Sequence, residues 1–246
     1  MTTIGASGST AIFESFRAAA AKAKTCGSLQ VAAQAATDVI FETFAESIVL
    51  CRIFAVVPFE KLPAEDQRFV RNLGAAKGLS KDIRADTQVL SLLGSRGVRP
   101  AWNDRKGSVG HLGIPLVSAT FIRAIPMLSR MLFELGVDVG IDDPKDKSMV
   151  ARLLAAGLGG VFHVPDAAKT TDQAGRKIIP AQDFVTDCGV KSVFGVAGNY
   201  MTGLSIAVLM FTRDDVSREE AKHFLALVNQ FKASTMPLAS AGQIYK

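Results

Sequence analysis

The segment Arg99–Pro115, RPAWNDRKGSVGHLGIP, gathers side chains that could do chemistry. It holds Trp102, the one tryptophan of the chain, with Asp104, Arg105, Lys106 and His111. An aromatic ring beside donors and acceptors can line the site of a polar ligand. The same residues also suit an ordinary charged loop with Trp102 plugging the edge of a core. A second group lies in GVFHVPDAA, where His163 stands near a strand end with Asp166 close by. A third lies in TDQAGRKIIPAQDF, which offers Asp172, Arg176, Lys177 and Asp183. Arg176 and Lys177 could clamp an anion if that loop folds over a pocket, or could simply be solvated.

Covalent chemistry is poorly provided for. No Gly-x-Ser-x-Gly elbow occurs, and Ser108, three residues before His111, has no assignable orienting acid. Cys26, Cys51 and Cys188 are far apart and form no Cys-x-x-Cys. That spacing argues against a disulfide framework and a zinc ribbon, and it suits a reducing, cytoplasmic setting. Cys51 and Cys188 fall in strand-like contexts, where buried structural thiols are usual. His111 and His163 have no His-x-x-x-His spacing and could approach one another only if their elements are neighbours; a zinc or haem site using either one is a further reading. His223 reads as a helix-surface residue.

These loops need elements to hold them. In 246 residues, 48% apolar content is enough for a sizeable core, and 21% charged residues is too few for global disorder. The net charge of +5 is spread among acids, with no dense basic block, so nucleic acid is not an expected partner. The N-terminus lacks a basic region before an apolar run and does not read as a secretory signal. Residues 1–27 read as an arm and an Ala-rich helix, Phe13–Lys24, ended by Cys26-Gly27. Residues 28–246 read as one domain.

Leu29, Ala33, Ala36, Ile40 and Phe44 recur at helical spacing and give a narrow stripe suited to helix–helix packing, including between subunits. Ile48–Phe59 is rich in β-branched and aromatic residues and reads as a strand. A helix follows from Pro63, with acids in its first turn and Gly78 to end it. Thr87–Gly94 and IPLVS are further strands. Ala119–Gly136 is apolar almost all round and reads as a helix buried on a sheet, kinked or broken at Pro126 and stopped by Gly136. IDDPKDKSM reads as a charged loop, Gly160–Val164 as a strand, and the stretch from Lys169 to Gly189 as a polar connection.

The run Ser192–Thr212, SVFGVAGNYMTGLSIAVLMFT, carries no charge and is long enough to cross a membrane. Its centre, GNYMTG, is made of turn formers, so the run reads as two strands joined by a turn. Val190, Phe194 and Val196 share one parity with Leu204, Ile206, Val208 and Met210. Val193, Ala197, Ala207, Leu209 and Phe211 share the other, so both faces are apolar. Gly195-x-x-Gly198 lacks the following helix that a phosphate loop needs. Ser217 with Glu220 then forms a capping-box pattern before the helical spacing of Ala221, Phe224, Leu225, Val228 and Phe231.

The segment from Cys188 to Phe231 resembles GAF domains, the small-molecule sensor modules of signalling proteins. Gly189, Val190, Ser192, Val193, Gly203 and the Ser217–Glu220 box carry the likeness. The resemblance implies an α/β (α+β) fold with a central antiparallel β-sheet of GAF/PAS-like type, helices on its faces, and N- and C-terminal helices packed together. It implies a pocket between the sheet and polar loops for a small polar or anionic ligand. Trp102, Asp104, Arg105, His111, His163, Asp166, Arg176 and Lys177 are the candidate ligand-binding residues. It further implies a homodimer through the terminal helices, and the leading reading adds a signalling partner protein and no catalytic activity. The alternatives are a cysteine-based redox enzyme of the methionine sulfoxide reductase type, using Cys51 or Cys188 with His111, and a haem-binding sensor. No cofactor or metal is assigned, and no membrane span is expected.

Overall fold

Residues rich in Val, Ile, Leu and Phe supply six strands: β1 Ile48–Pro58, β2 Gln88–Gly97, β3 Gly113–Pro115, β4 Gly160–Val164, β5 Ser192–Asn199 and β6 Ser205–Thr212. A computed structural model describes residues 3–4, 9–137 and 157–246. The charged stretch IDDPKDKSM lies outside them. The strands form one sheet in the order β3-β2-β1-β6-β5-β4, and every described pairing is antiparallel. This is the GAF-like architecture that the resemblance implied. Among the described residues no helix is long and apolar enough to cross a membrane.

The Ser192–Thr212 run is the β5–β6 hairpin, closed by Tyr200 N–H on Leu204 O at 2.8 Å and by Gly203 at φ 84°. Its alternation sends Phe194, Val196, Ile206, Val208 and Met210 to one face, and Val193, Ala197, Ala207, Leu209 and Phe211 to the other. Val190 differs from the expected parity. It precedes β5 and joins the second face, because the strand alternation does not yet hold there. β1 and β2 also alternate, but their register shifts at Ile53/Phe54, where β2 carries one extra residue.

The first face is covered by α1 (Ser9–Lys24), α2 (Leu29–Thr43) and the C-terminal α7 (Arg218–His223) and α8 (Leu225–Ser240). The stripe of α2 lies on β2 of the same chain, so it is used within the protein. This approach needs Gly94: a Cβ there would stand 2.6 Å from the Ala33 carbonyl carbon. The N-terminus of α2 is closed twice over. The Ser28 hydroxyl accepts from Val31 N–H, and the carbonyls of Gln243 and Ile244 accept from Leu29 and Gln30 at 2.9 and 2.8 Å. The Ser217–Glu220 capping box is present in both directions. The helix after it is two helices, with Phe224 buried at the joint.

The second face carries α4 (Ala119–Arg123), α5 (Pro126–Glu134) and α6 (Gln182–Cys188), while α3 (Ala64–Ala76) packs at β3. Pro126 breaks the expected long helix: it opens α5, and Ile125 before it is extended. α6 falls within the stretch expected to be a polar connection. Seven residues ended by Gly189 at φ 66° are too short to show a helical period.

Candidate functional site

α4 and α5 are separate helices, parted at Pro126. A cavity of about 480 Å³ remains between them, the sheet and the loops. Phe54, Leu90 and Leu209 form its floor, Phe121, Leu128 and Met131 its wall, and Gly110, His111 and Pro180 belong to the overlying loops. Ser118, whose hydroxyl caps α4, Thr120 and the exposed Lys77 also line it. An apolar chamber with a few convergent polar groups is the usual form of a small-molecule site. A second hollow of about 570 Å³ lies at the far end of β1 and β2, against the β5–β6 turn and the C-terminal residues. Its one charged residue, Lys61, is exposed.

The loops over the cavity are tied to the body. Asp172 accepts from Ala174 and Arg176 N–H at 2.9 Å and pairs with Arg176 Nε at 2.7 Å. Arg176 Nη2 donates to Arg123 O at 3.0 Å, joining this loop to α4. Lys177 Nζ donates to Ala168 O at 2.6 Å. Asp166 accepts from Ala168 and Lys169 N–H at 3.0 and 2.9 Å and so shapes the turn after β4.

His111 lines the cavity. Burial, and then the positive charge of Arg52, lower the pKa of its ring. Both effects favour the neutral imidazole, which has one donor and one acceptor nitrogen.

The other candidates of that loop serve its own structure. Trp102 stacks edge-on against Phe184 at 5.4 Å, under the Arg99 guanidinium at 5.0 Å, and seals the end of β2. Asp104 accepts from Lys106 N–H and caps a short 3-10 turn. Arg105 is buried, pairs with Asp66 of α3, donates from Nε to Leu92 O at 2.6 Å, and lies over the Tyr245 ring at 5.7 Å. None of the three lines the cavity.

His163 lies on the opposite face from His111. β4 alternates, and Phe162 and Val164 point to the cavity side while His163 opposes Phe194. Its Nε2 is 2.7 Å from Val216 O. The two histidines therefore share no site, which removes the joint zinc or haem arrangement. Among the described residues no group of three or more His, Cys, Asp and Glu is placed to hold a metal. Cys51 also lies on the first face, away from His111, and burial pushes its thiol up to about 12. That geometry offers no reactive Cys51–His111 pair.

One residue escaped the sequence reading. Arg52 interrupts the apolar strand β1 between Leu50 and Phe54 and shares their face. Its strand neighbours are Ser95 and the cavity residue Leu209. The signal was a lone charge at an inward parity of an otherwise uncharged strand.

No protein-family model matches this sequence, and no curated protein does. Solved structures of similar chain path include the GAF domain of an Acinetobacter phosphoenolpyruvate-protein phosphotransferase, at 12% identity and a TM-score of 0.49, covering 95% of this chain and 98% of that one. The phycoerythrobilin-bound GAF domain of a cyanobacterial phytochrome gives 12% identity and a TM-score of 0.45, over 93% and 96% of the two chains. The chromophore-binding domain of a bacteriophytochrome from R. palustris gives 10% and 0.44, over 94% of this chain. This chain spans 62% of that structure's length.

Proposed function

We propose that residues 28–246, with the helix of residues 1–27 laid against them, form a non-catalytic sensor module that binds a small molecule between the sheet and the polar loops. The observation that carries this reading is the cavity of about 480 Å³, apolar in lining and roofed by a loop hydrogen-bonded to α4. Ligand entry would order the roof and press on β1 and β6, whose other face holds the terminal helices. A cytoplasmic setting agrees with three free cysteines.

The test uses a neutral apolar fluorophore, N-phenyl-1-naphthylamine. Its emission is expected to rise on the wild-type chain. Ala124 lines the cavity and is exposed, so Ala124→Trp fills space without displacing core. That variant is expected to weaken the probe by about tenfold or more. Undiminished binding in Ala124→Trp would place the probe elsewhere and sink this reading.

The output this module requires is a homodimer through α1 and α8 that passes the signal to a partner protein. Sedimentation velocity at micromolar concentration is expected to give a dimer. A monomer throughout would remove the terminal helices as its interface.

A further inference from the structure

Arg52 is 8% exposed, yet among the described residues its guanidinium makes no hydrogen bond or ion pair, and its Nε is wholly buried without a partner. The other deeply buried arginine, Arg105, has Asp66. A buried charge left uncompensated is strongly unfavourable, so an anion of matching geometry would bind there with little competition from water. Ser95, directly across from Arg52 on β2, has a buried hydroxyl that also lacks a partner. Residues directly opposed on antiparallel strands point to the same face, so both unsatisfied groups share one spot. That spot adjoins the cavity floor, since Leu209 flanks Arg52 on β6 and Phe54 follows it on β1. Arg52 and Ser95 lie beside the cavity and not in its lining, which is mostly hydrocarbon with Lys77, His111, Ser118 and Thr120 as its polar residues.

Resting on the cavity reading above, we propose that the ligand is a small organic monocarboxylate with an apolar body, its carboxylate seated on Arg52 and the Ser95 hydroxyl. The planar fork of a guanidinium matches the two oxygens of a carboxylate, and a serine hydroxyl adds one donor. One buried cation balances one negative charge. The other cation at the cavity, Lys77, is exposed, so a phosphate dianion would place its second charge against Phe54 and Leu209. His111 also lines the cavity and offers ring nitrogens for a hydrogen bond to the ligand.

The probes are octanoate and 1-octanol, each displacing N-phenyl-1-naphthylamine from the full chain. Octanoate is expected to displace it at about tenfold lower concentration than octanol. In Arg52→Met that advantage disappears and the octanol value stays. The variant also melts at or above the wild-type temperature, because an unpaired buried charge has been removed. A purely structural arginine would instead lower the melting temperature. Equal displacement by octanoate and octanol on the wild-type chain overturns the carboxylate assignment and leaves the cavity reading intact. An octanoate advantage that survives in Arg52→Met overturns it also. Failure of the naphthylamine itself to bind overturns both. The wild-type comparison needs no variant, so it decides the matter even where Arg52→Met does not fold.

Discussion

Arg105→Leu should lower the unfolding free energy by about 3–5 kcal/mol at neutral pH, the usual loss when one partner of a buried ion pair is removed. Arg105 and Asp66 are both inaccessible to solvent. Burial already pushes the Asp66 carboxyl above its ordinary value, and the hydrogen bond and charge of Arg105 oppose that rise. Without Arg105 the folded state favours the neutral acid more strongly. A carboxyl whose folded pKa is raised contributes its full stability below the unfolded value, near pH 4, and loses it as pH rises through the folded value. The variant should therefore be most stable in mild acid and weaken towards neutrality. Loss of packing alone would not give that slope. Asp66→Leu added to Arg105→Leu should recover most of the loss, since an apolar pair can replace a buried ionic one. Urea unfolding from pH 4 to 8 checks this. A flat profile with a loss under about 1 kcal/mol would show that the pair is uncoupled from folding.

Phe224→Ala should cost about 3–5 kcal/mol, within the range for deleting a buried aromatic side chain. The ring lies at the joint of α7 and α8, fully buried. Its centroid is 4.9 Å from Phe194, 5.2 Å from Phe16 and 6.2 Å from Phe44. Those partners belong to β5, α1 and the end of α2, so one side chain joins four elements. Edge-on aromatic pairs add about 0.5–1.5 kcal/mol each beyond area burial. Phe224→Leu keeps much of the volume and should cost roughly half as much. Hydrogen exchange should show α1 losing protection first in the alanine variant. Equal costs for the two variants would mean that leucine's bulk recovers nothing, whereas a cost near zero for Phe224→Leu would mean that the ring contributes no more than any hydrocarbon.

Much of this scaffold could be read before its coordinates, and the reason is periodicity. The β5–β6 hairpin follows from alternating residues around GNYMTG, and the start of α7 from Ser217 and Glu220 three apart. Both signals are local. The break at Pro126 was legible too, but its consequence was not: a gap between α4 and α5 depends on how the two pieces meet the sheet. The loop residues misled for a related reason. Trp102 and Arg105 have ligand-binding chemistry, and only the fold shows that Phe184 and Asp66 occupy them. Of Trp102, Asp104, Arg105, His111, His163, Asp166, Arg176 and Lys177, only His111 lines the cavity. Arg52 was overlooked because strand composition hides a single charge; its meaning lies in which partners it lacks.

The register shift between β1 and β2 acts on the chain much as an inserted base acts on a reading frame. Up to Leu92, even-numbered residues of β2 face the cavity side. Leu93 faces the terminal helices, and beyond it the parity is inverted: Gly94 meets Ala33, and Arg96 reaches Asp38 and the Phe41 ring on α2. Ser95 and Gly97 are thereby turned to the side of Arg52 and Trp102. Deleting Leu93 would remove the bulge and leave Gly94, Ser95 and Arg96 opposite Ile53, Arg52 and Cys51, on the faces they now occupy. Keeping Leu93 but forcing strict alternation would instead put Leu93 in the place of Gly94, against the Ala33 backbone, and turn Arg96 to the apolar side beneath α4 and α5. The bulge that absorbs this surplus residue thus decides which of the two chambers each polar group of the strand belongs to.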